Sequence, residues 1–247
     1  MLKAFHNIGK YFMLLNRVFK RPDNYKLYRR QIAHEMMSLG IGSLGLISII
    51  SIFMGAVVTI QTASNIDSPL IPAYAIGYAT RQSFILELAP TVMCLILAGK
   101  IGSNIASEIG TMRISEQIDA LEIMGVNSAS YLIFPKIIAA LLIVPVIIIY
   151  SMFLGMLGGY IVAAYSNFTT VNNYILGIRW SFDAFGVIYA LIKTLFFAFI
   201  ITSVPAFYGY YTRGGALEIG RSSTKSVVYS SICILIINYI LTQLLLI

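Results

Sequence analysis

Charged side chains are scarce in this sequence. Only 11% of its 247 residues are Asp, Glu, Lys or Arg, whereas an average soluble domain has about 25%. Hydrophobic residues make up 58%, and the mean hydropathy is +0.84. A soluble protein of this size would have too few polar groups to cover its surface. The composition therefore excludes an ordinary soluble domain and predicts a protein that uses the bilayer as its solvent.

Residues that could hold a metal or a redox cofactor are equally rare. The two histidines, His6 and His34, cannot build a metal centre without more ligands nearby. The two cysteines, Cys94 and Cys233, lie in apolar stretches and are typical of small core residues. We therefore expect no metal, disulfide or cofactor on this chain.

Two glycine-rich segments match nucleotide-binding patterns only in part. Residues 40–45 fit G-x-G-x-x-G, but they open an apolar run with no strand before it, so these glycines are interpreted as helix-packing residues. Residues 215–222 come close to a phosphate-binding loop, but Arg221 replaces its lysine. ATP hydrolysis is therefore expected on another chain.

The N-terminal segment 2–21 is predicted to be an amphipathic helix. Its apolar residues recur at spacings of three and four, its basic residues lie on the other side, and Pro22 ends the pattern. The apolar set is Phe5, Ile8, Phe12, Leu15 and Phe19, and the basic set is Lys3, Lys10 and Arg17. Such a helix lies in the membrane interface. The alternative is a soluble helix that packs on another subunit.

Five apolar stretches are long enough to span a bilayer, which needs about 20 residues. They are 38–61, 83–105, a segment within 131–165, 184–211 and 227–247. The stretch 70–82 is too short and interrupted for a sixth span and is expected at the interface. The predicted fold is an all-α integral membrane protein in one domain. Residues 1–37 form interfacial or cytoplasmic helices, and 38–247 form a five-span bundle.

The basic residues predict the orientation of these spans. Eight lie in 1–37, three in 100–136 and three in 212–226, whereas the loops at the other side hold only Arg81 and Arg179. The positive-inside rule then predicts a cytoplasmic N-terminus and an outer C-terminus. The basic residues behind the net charge of +7 are thus expected to face the anionic lipids of the inner leaflet. No nucleic-acid partner is expected.

The loop between the second and third spans contains a candidate docking helix. Gly110 and Gly125 bracket about fourteen residues, 111–124. The apolar stripe is Ile114, Ile118, Leu121 and Met124, and the charged face is Arg113, Glu116, Asp119 and Glu122. A short amphipathic helix of this kind suits a groove on a partner protein. The alternative is a helix on the bilayer surface, which three carboxylates disfavour because the inner leaflet is negative.

The run from Glu87 to Gly125 resembles the signature of the MlaE-type permease family of ABC transporters, most clearly in 108–113 and 116–125. The resemblance implies a homodimeric, non-enzymatic permease in the cell inner membrane with a periplasmic C-terminus. A separate ATPase subunit would bind ATP and Mg²⁺, and an MCE-domain protein would cap the outer face. The cargo would be phospholipid, or sterol in some relatives. The coupling residues would be Glu108, Thr111, Arg113, Glu116, Asp119 and Glu122.

Glu87 and Lys193 are the acid and the base that fall well inside predicted spans. Intramembrane charges usually face a cavity or a partner. We predict that Glu87, with Pro90 kinking the helix beside it, lines an outward-facing lipid cavity; the alternative is that Glu87 reaches to the outer interface. Many family members carry Arg before this Glu, but here the position is Leu86. The partner of Lys193 is open at this stage.

Two other function classes are kept as alternatives. An ion-coupled carrier should show a chain of intramembrane charges, for which Glu87 and Lys193 are thin support. A lipid-modifying membrane enzyme should show convergent nucleophilic, acid–base or metal-binding groups, and no such constellation stands out in the sequence.

Overall fold

A computed structural model describes the backbone of residues 2–20, 25–66, 71–166 and 169–246, and all of their side chains except those of 2–5, 25–27 and 246. Within this part of the chain there are eight helices and no strand. The helices are α1 (Leu2–Val18), α2 (Tyr25–Asn65), α3 (Ala75–Ile114), α4 (Gln117–Ile123), α5 (Ser128–Tyr165), α6 (Val171–Arg179), α7 (Ala184–Tyr210) and α8 (Ala216–Leu246). The predicted all-α class is confirmed.

Five of these helices, α2, α3, α5, α7 and α8, are long and apolar enough to cross a membrane. This agrees with the predicted number of spans. The stretch 70–82 forms no sixth span: from Ala75 onward it is the start of α3, which continues without interruption to Ile114. The polar residue Arg81 lies in this first part of α3. Its guanidinium is buried but donates to the carbonyl oxygens of Ile178, Trp180 and Ser181 at 2.7–3.2 Å, so the helix can continue through it.

Helix α3 contains two π-helical segments, Phe84–Val92 and Ala98–Gly102. The first contains Pro90, which has no N–H to donate to the preceding turn and whose ring crowds it. A wider turn relieves that conflict, and such segments are frequent at functional sites. The segment also contains Glu87, so the irregular backbone and the intramembrane acid coincide.

The bundle has two ends, named here by the short helices that lie there. The α4 end holds the C-terminus of α3, the N-terminus of α5 and the turn from α7 into α8. The α6 end holds the opposite termini of these helices. Helix α7 is central, because it packs against α3, α5 and α8, whereas α2 packs along α5.

Small residues allow α2 and α5 to approach closely. A Cβ added to Gly55 would overlap the carbonyl oxygen of Gly155, and one added to Gly158 would overlap that of Ile52. Close contact of this kind drives helix association in lipid. A Cβ added to Gly40 would contact the side chain of Ile143. A Cβ added to Gly42 or Gly45 would have no described neighbour within 4 Å. The packing role predicted for Gly42 and Gly45 is therefore wrong within the described chain.

Helix α1 lies against the bundle at the α4 end. Leu14 and Val18 are buried, and the Tyr11 hydroxyl is 2.7 Å from the Ser203 hydroxyl of α7. Burial raises the pKa of Tyr11, so it stays neutral in this contact. Ile8 and Phe12, from the predicted apolar face, are exposed, as an interfacial helix requires of the side turned toward lipid. Phe5 lies outside the described side chains.

Replacing Gly158 by Ala is expected to lower the melting temperature of the purified protein by about 5 °C. The new methyl would overlap the backbone of Ile52, and overpacking of this kind costs about 1–3 kcal/mol. Gly45→Ala is the matched control, because open space surrounds that position and Ala favours a helix. Equal melting temperatures for both variants would contradict the α2–α5 packing.

Candidate functional site

An ion pair lies inside the bundle between the second and fourth spans. The Lys193 ammonium donates to Glu87 Oε1 over 2.6 Å. Lys193 is fully buried, whereas 41% of the Glu87 side chain is exposed. The ammonium also lies 4.4 Å from the centre of the Tyr189 ring, one turn earlier on α7. Glu87 is thus the partner of Lys193 that the sequence left open. The cation beside Glu87 comes from α7, whereas many family members carry an Arg at the position of Leu86.

Polar side chains from the fifth span complete this cluster. Asn238 Nδ2 donates to Glu87 Oε2 over 3.2 Å, and the Thr242 hydroxyl lies 3.4 Å from Oε1. The hydroxyls of Thr91 and Tyr189 lie 3.2 and 3.3 Å from the same carboxylate. Three spans, α3, α7 and α8, therefore meet at one carboxylate, which we call the Glu87 cluster (Glu87, Thr91, Tyr189, Lys193, Asn238 and Thr242).

The depth of the Glu87 cluster makes it unusual. Lys193 is nine residues from the start of α7 at Ala184, which places it about 14 Å along the helix. Half the hydrocarbon core is about 15 Å. A charge at that depth costs about 2.5–3.5 kcal/mol on insertion scales, and pairing offsets this. Pro90 is buried in the bundle, so its effect is on the shape of the π-helical segment. Glu87 is partly exposed and gives the segment a polar surface.

A second ion cluster ties three helices together near the α4 end. Lys136 of α5 donates to Glu35 of α2 over 2.6 Å and to Glu108 of α3 over 2.8 Å. The Lys136 side chain is only 4% exposed, whereas that of Glu108 is 46% exposed. Glu108 was predicted to contact an ATPase. One oxygen of its carboxylate binds Lys136 and so links α3 to α5 within the bundle.

The single helix predicted at 111–124 is wrong. Helix α3 runs on to Ile114, and α4 begins at Gln117. Between them Glu116 has φ 59°, in the left-handed region, and the Ser115 hydroxyl donates back to the Thr111 carbonyl. Such local bonds compete with helix continuation. The apolar residues on either side of the break, Ile114 and Ile118, are still four positions apart. The sequence pattern therefore does not reveal the break.

Three of the predicted coupling residues make side-chain contacts within the chain at this corner. Arg113 Nη1 donates to Asp119 Oδ1 over 2.7 Å, joining α3 to α4 across the break. The Thr111 hydroxyl donates to the Ser107 carbonyl one turn earlier. Glu116 is exposed at the corner. The Arg113–Asp119 pair thus fixes the angle of α4.

Glu122 connects α4 to two spans. Its Oε1 accepts from the Ser128 hydroxyl of α5 over 2.9 Å and from the Tyr210 hydroxyl of α7 over 3.0 Å. Tyr210 is the last residue of α7 and is 5% exposed. A displacement of α4 would therefore be felt directly at the end of the helix that carries Lys193.

The tip of this corner is apolar and exposed. Ile123 is 87% exposed and Met124 is 68% exposed, and Gly125 then turns the chain at φ 78°. Ile118, predicted on the same docking stripe as Met124, is fully buried instead. The exposed apolar surface at the end of α4 is therefore formed by Ile123 and Met124.

Several of these residues were not predicted as functional from the sequence. Lys136 was counted only as a basic residue at a loop boundary, and Tyr210 was not singled out. Ile123 lay outside the predicted stripe. A usable signal existed for Tyr189, which precedes Lys193 by four residues and so shares its helix face.

Comparisons with known proteins agree with this architecture. The family described as "Permease MlaE" matches residues 32–244. A probable ABC transporter permease protein of Rickettsia bellii is 34% identical over 98% of this chain and 93% of that protein. A similar protein of Synechocystis is 34% identical over 97% and 91%. The chloroplastic protein TRIGALACTOSYLDIACYLGLYCEROL 1 of Arabidopsis thaliana is 30% identical over 88% of this chain and 62% of its own length. The chain belongs to the MlaE family of ABC transporter permeases.

Proposed function

We propose that this permease moves phospholipid, or a related lipid, between the cell inner membrane and an MCE-domain protein at the outer face. A separate ATPase subunit, which binds ATP and Mg²⁺, drives the movement. The observation that carries the proposal is the half-exposed Glu87 carboxylate on a helix long and apolar enough to cross a membrane. The name of the Arabidopsis relative contains a galactolipid, which supports a lipid as cargo.

A lipid needs one polar contact for its head group and apolar walls for its chains. The Glu87 cluster supplies the polar contact, and its exposed side lies where Asn238 and Thr242 of α8 meet α3. Helix α8 leaves a row of large apolar side chains exposed nearby: Ile232, Leu235, Ile236, Tyr239 and Ile240. In the proposed homodimer these faces of two copies enclose the lipid cavity.

The α4 corner is the proposed contact with the ATPase. Ile123 and Met124 enter a groove on that subunit, and Glu122 transmits the displacement to Tyr210 at the end of α7. About 17 residues along the same helix is Lys193, the partner of Glu87. The nucleotide state of the ATPase must favour one arrangement of this connection over another, because a ligand that binds two states equally shifts neither.

This connection also fixes the proposed orientation. The ATPase lies in the cytoplasm with its nucleotide, so the α4 end faces inward and the α6 end faces the periplasm. The chain termini follow, with residue 1 inside and residue 247 outside. The distribution of basic residues supports the same orientation.

Replacing Tyr210 by Phe is expected to lower the lipid moved per ATP hydrolysed by about fivefold, with ATP hydrolysis retained. The variant removes one hydrogen bond to Glu122, and a bond of that kind contributes about 1 kcal/mol. Tyr131→Phe is the control, because the Tyr131 ring packs on Tyr28 at the same end and, among the described residues, its hydroxyl makes no hydrogen bond to Glu122. An unchanged ratio in Tyr210→Phe would remove Glu122 and Tyr210 from the coupling path.

A further inference from the structure

A polar cavity lies at the α4 end between α1, the end of α7 and the start of α8. Its volume is about 390 Å³, within the range of small-molecule sites. It is separate from the Glu87 cluster, since Lys193 and Tyr211 are eighteen residues apart along α7 and its end, about 27 Å. The residues that line it are Asn7, Lys10, Phe207, Tyr208, Tyr211, Thr212, Arg213, Glu218, Ser222 and Lys225.

The cavity carries a positive charge contributed by three separate elements. Lys10 comes from α1, Arg213 from the turn after α7, and Lys225 from α8. Among the described residues, no carboxylate lies within 4 Å of any of these three cations. The one acid of the lining, Glu218, is paired with Arg221 over 2.6 Å. The cavity is therefore lined by three cations, none of which forms an ion pair within the described part of the chain.

Several other polar groups of the cavity already have partners. The hydroxyls of Thr212 and Ser222 both donate to the Tyr208 carbonyl over 2.8 Å. Tyr208 stacks on Tyr229, with ring centres 5.4 Å apart, and the Lys10 ammonium lies 5.7 Å from the centre of the Tyr211 ring. The three cations are thus left to meet a ligand together with the Asn7 amide, and like charges gathered this way favour an anion.

The position of the cavity indicates the source of that anion. One of its walls is α1, whose Ile8 and Phe12 are exposed, as in a helix that lies in the membrane interface. Lipid phosphates lie at that level, and basic residues there attract anionic lipids. We propose that Lys10, Arg213 and Lys225 bind the phosphate of an anionic phospholipid head group, which holds α1 against the turn between α7 and α8. The site is independent of the cargo path and does not depend on the proposed transport function.

The test compares lipid retention in charge-matched variants. The full-length chain is purified in detergent with added phosphatidylglycerol, and bound lipid is counted by native mass spectrometry. Arg213→Gln/Lys225→Gln is expected to retain phosphatidylglycerol about tenfold less well than the unmodified chain, because both cations are lost. Lys20→Gln/Arg29→Gln is the control: both side chains are exposed in the region of the α4 end, neither lines the cavity, and the change in net charge is the same.

Each other outcome overturns a stated part of the proposal. Equal loss in both double variants would mean that net charge, and not this cavity, retains the lipid. Equal retention of zwitterionic phosphatidylcholine would exclude recognition of the anion. Displacement of phosphatidylglycerol by millimolar inorganic phosphate would assign the cavity to a soluble phosphate ligand. Weaker copurification of the ATPase in Arg213→Gln/Lys225→Gln, with lipid retention unchanged, would assign the cations to that partner.

Discussion

Replacing Glu87 alone by Gln is expected to lower the melting temperature of the purified permease by about 6–12 °C. Lys193 is fully buried, and the substitution leaves its ammonium without a counter-charge. Removing one partner of a buried ion pair costs about 3 kcal/mol or more, which corresponds to this shift for a chain of this length. Thermal unfolding in detergent, followed by tryptophan fluorescence of Trp180, measures it.

The double variant Glu87→Gln/Lys193→Met separates stability from transport. It removes both charges and leaves side chains of similar length, so the melting temperature should return to within about 3 °C of the unmodified value. Lipid transport should stay low, because the exposed polar contact for the head group has lost its charge. Full transport by a stable double variant would show that the pair is only structural. Equal stability of Glu87→Gln and the unmodified chain would show that the pair is not formed in the membrane.

Replacing Ile123 and Met124 together by Asp is expected to abolish copurification of the ATPase subunit. These side chains are 87% and 68% exposed at the tip of α4, and burial of two large aliphatic side chains contributes about 1.5–3 kcal/mol each. Two buried, unpaired carboxylates would add a further penalty. The association constant should therefore fall by more than about 100-fold, measured by pull-down of the tagged permease.

Ile123→Leu/Met124→Leu is the matched control, because it keeps the tip apolar and of similar volume. It should copurify the ATPase to the unmodified extent. The permease itself should remain folded in both variants, since neither side chain is buried in the bundle. Retention of the ATPase by the Asp variant would place the contact elsewhere on the α4 end.

The five spans could be predicted from the sequence because hydropathy depends on composition within one helix. The boundaries of α3 could not. Its first turns contain Arg81, whose burial is possible only because carbonyl oxygens of the segment from Ile178 to Ser181, about 100 residues later, accept its hydrogen bonds. No local pattern near Ala75 therefore shows that α3 begins there.

The candidate site shows the same division. Glu87 and Lys193 were found because charge is rare in apolar runs, but their pairing joins residues 106 positions apart and no local pattern encodes it. The α4 corner was found as a charged amphipathic segment, whereas its break at Glu116 was hidden by an unbroken helical spacing. The direction of its side chains then followed from tertiary contacts: Ile118 turned inward, and Glu122 turned toward Tyr210.

ATP-dependent lipid transfer by the reconstituted permease tests the central claim most directly. Proteoliposomes would contain this chain and its ATPase subunit, with a fluorescent phospholipid and a soluble MCE-domain protein as the donor or acceptor. The proposal predicts lipid movement that requires ATP hydrolysis and is lost in Ile123→Asp/Met124→Asp. ATP-independent lipid movement, or movement of ions without lipid in the same vesicles, would contradict it.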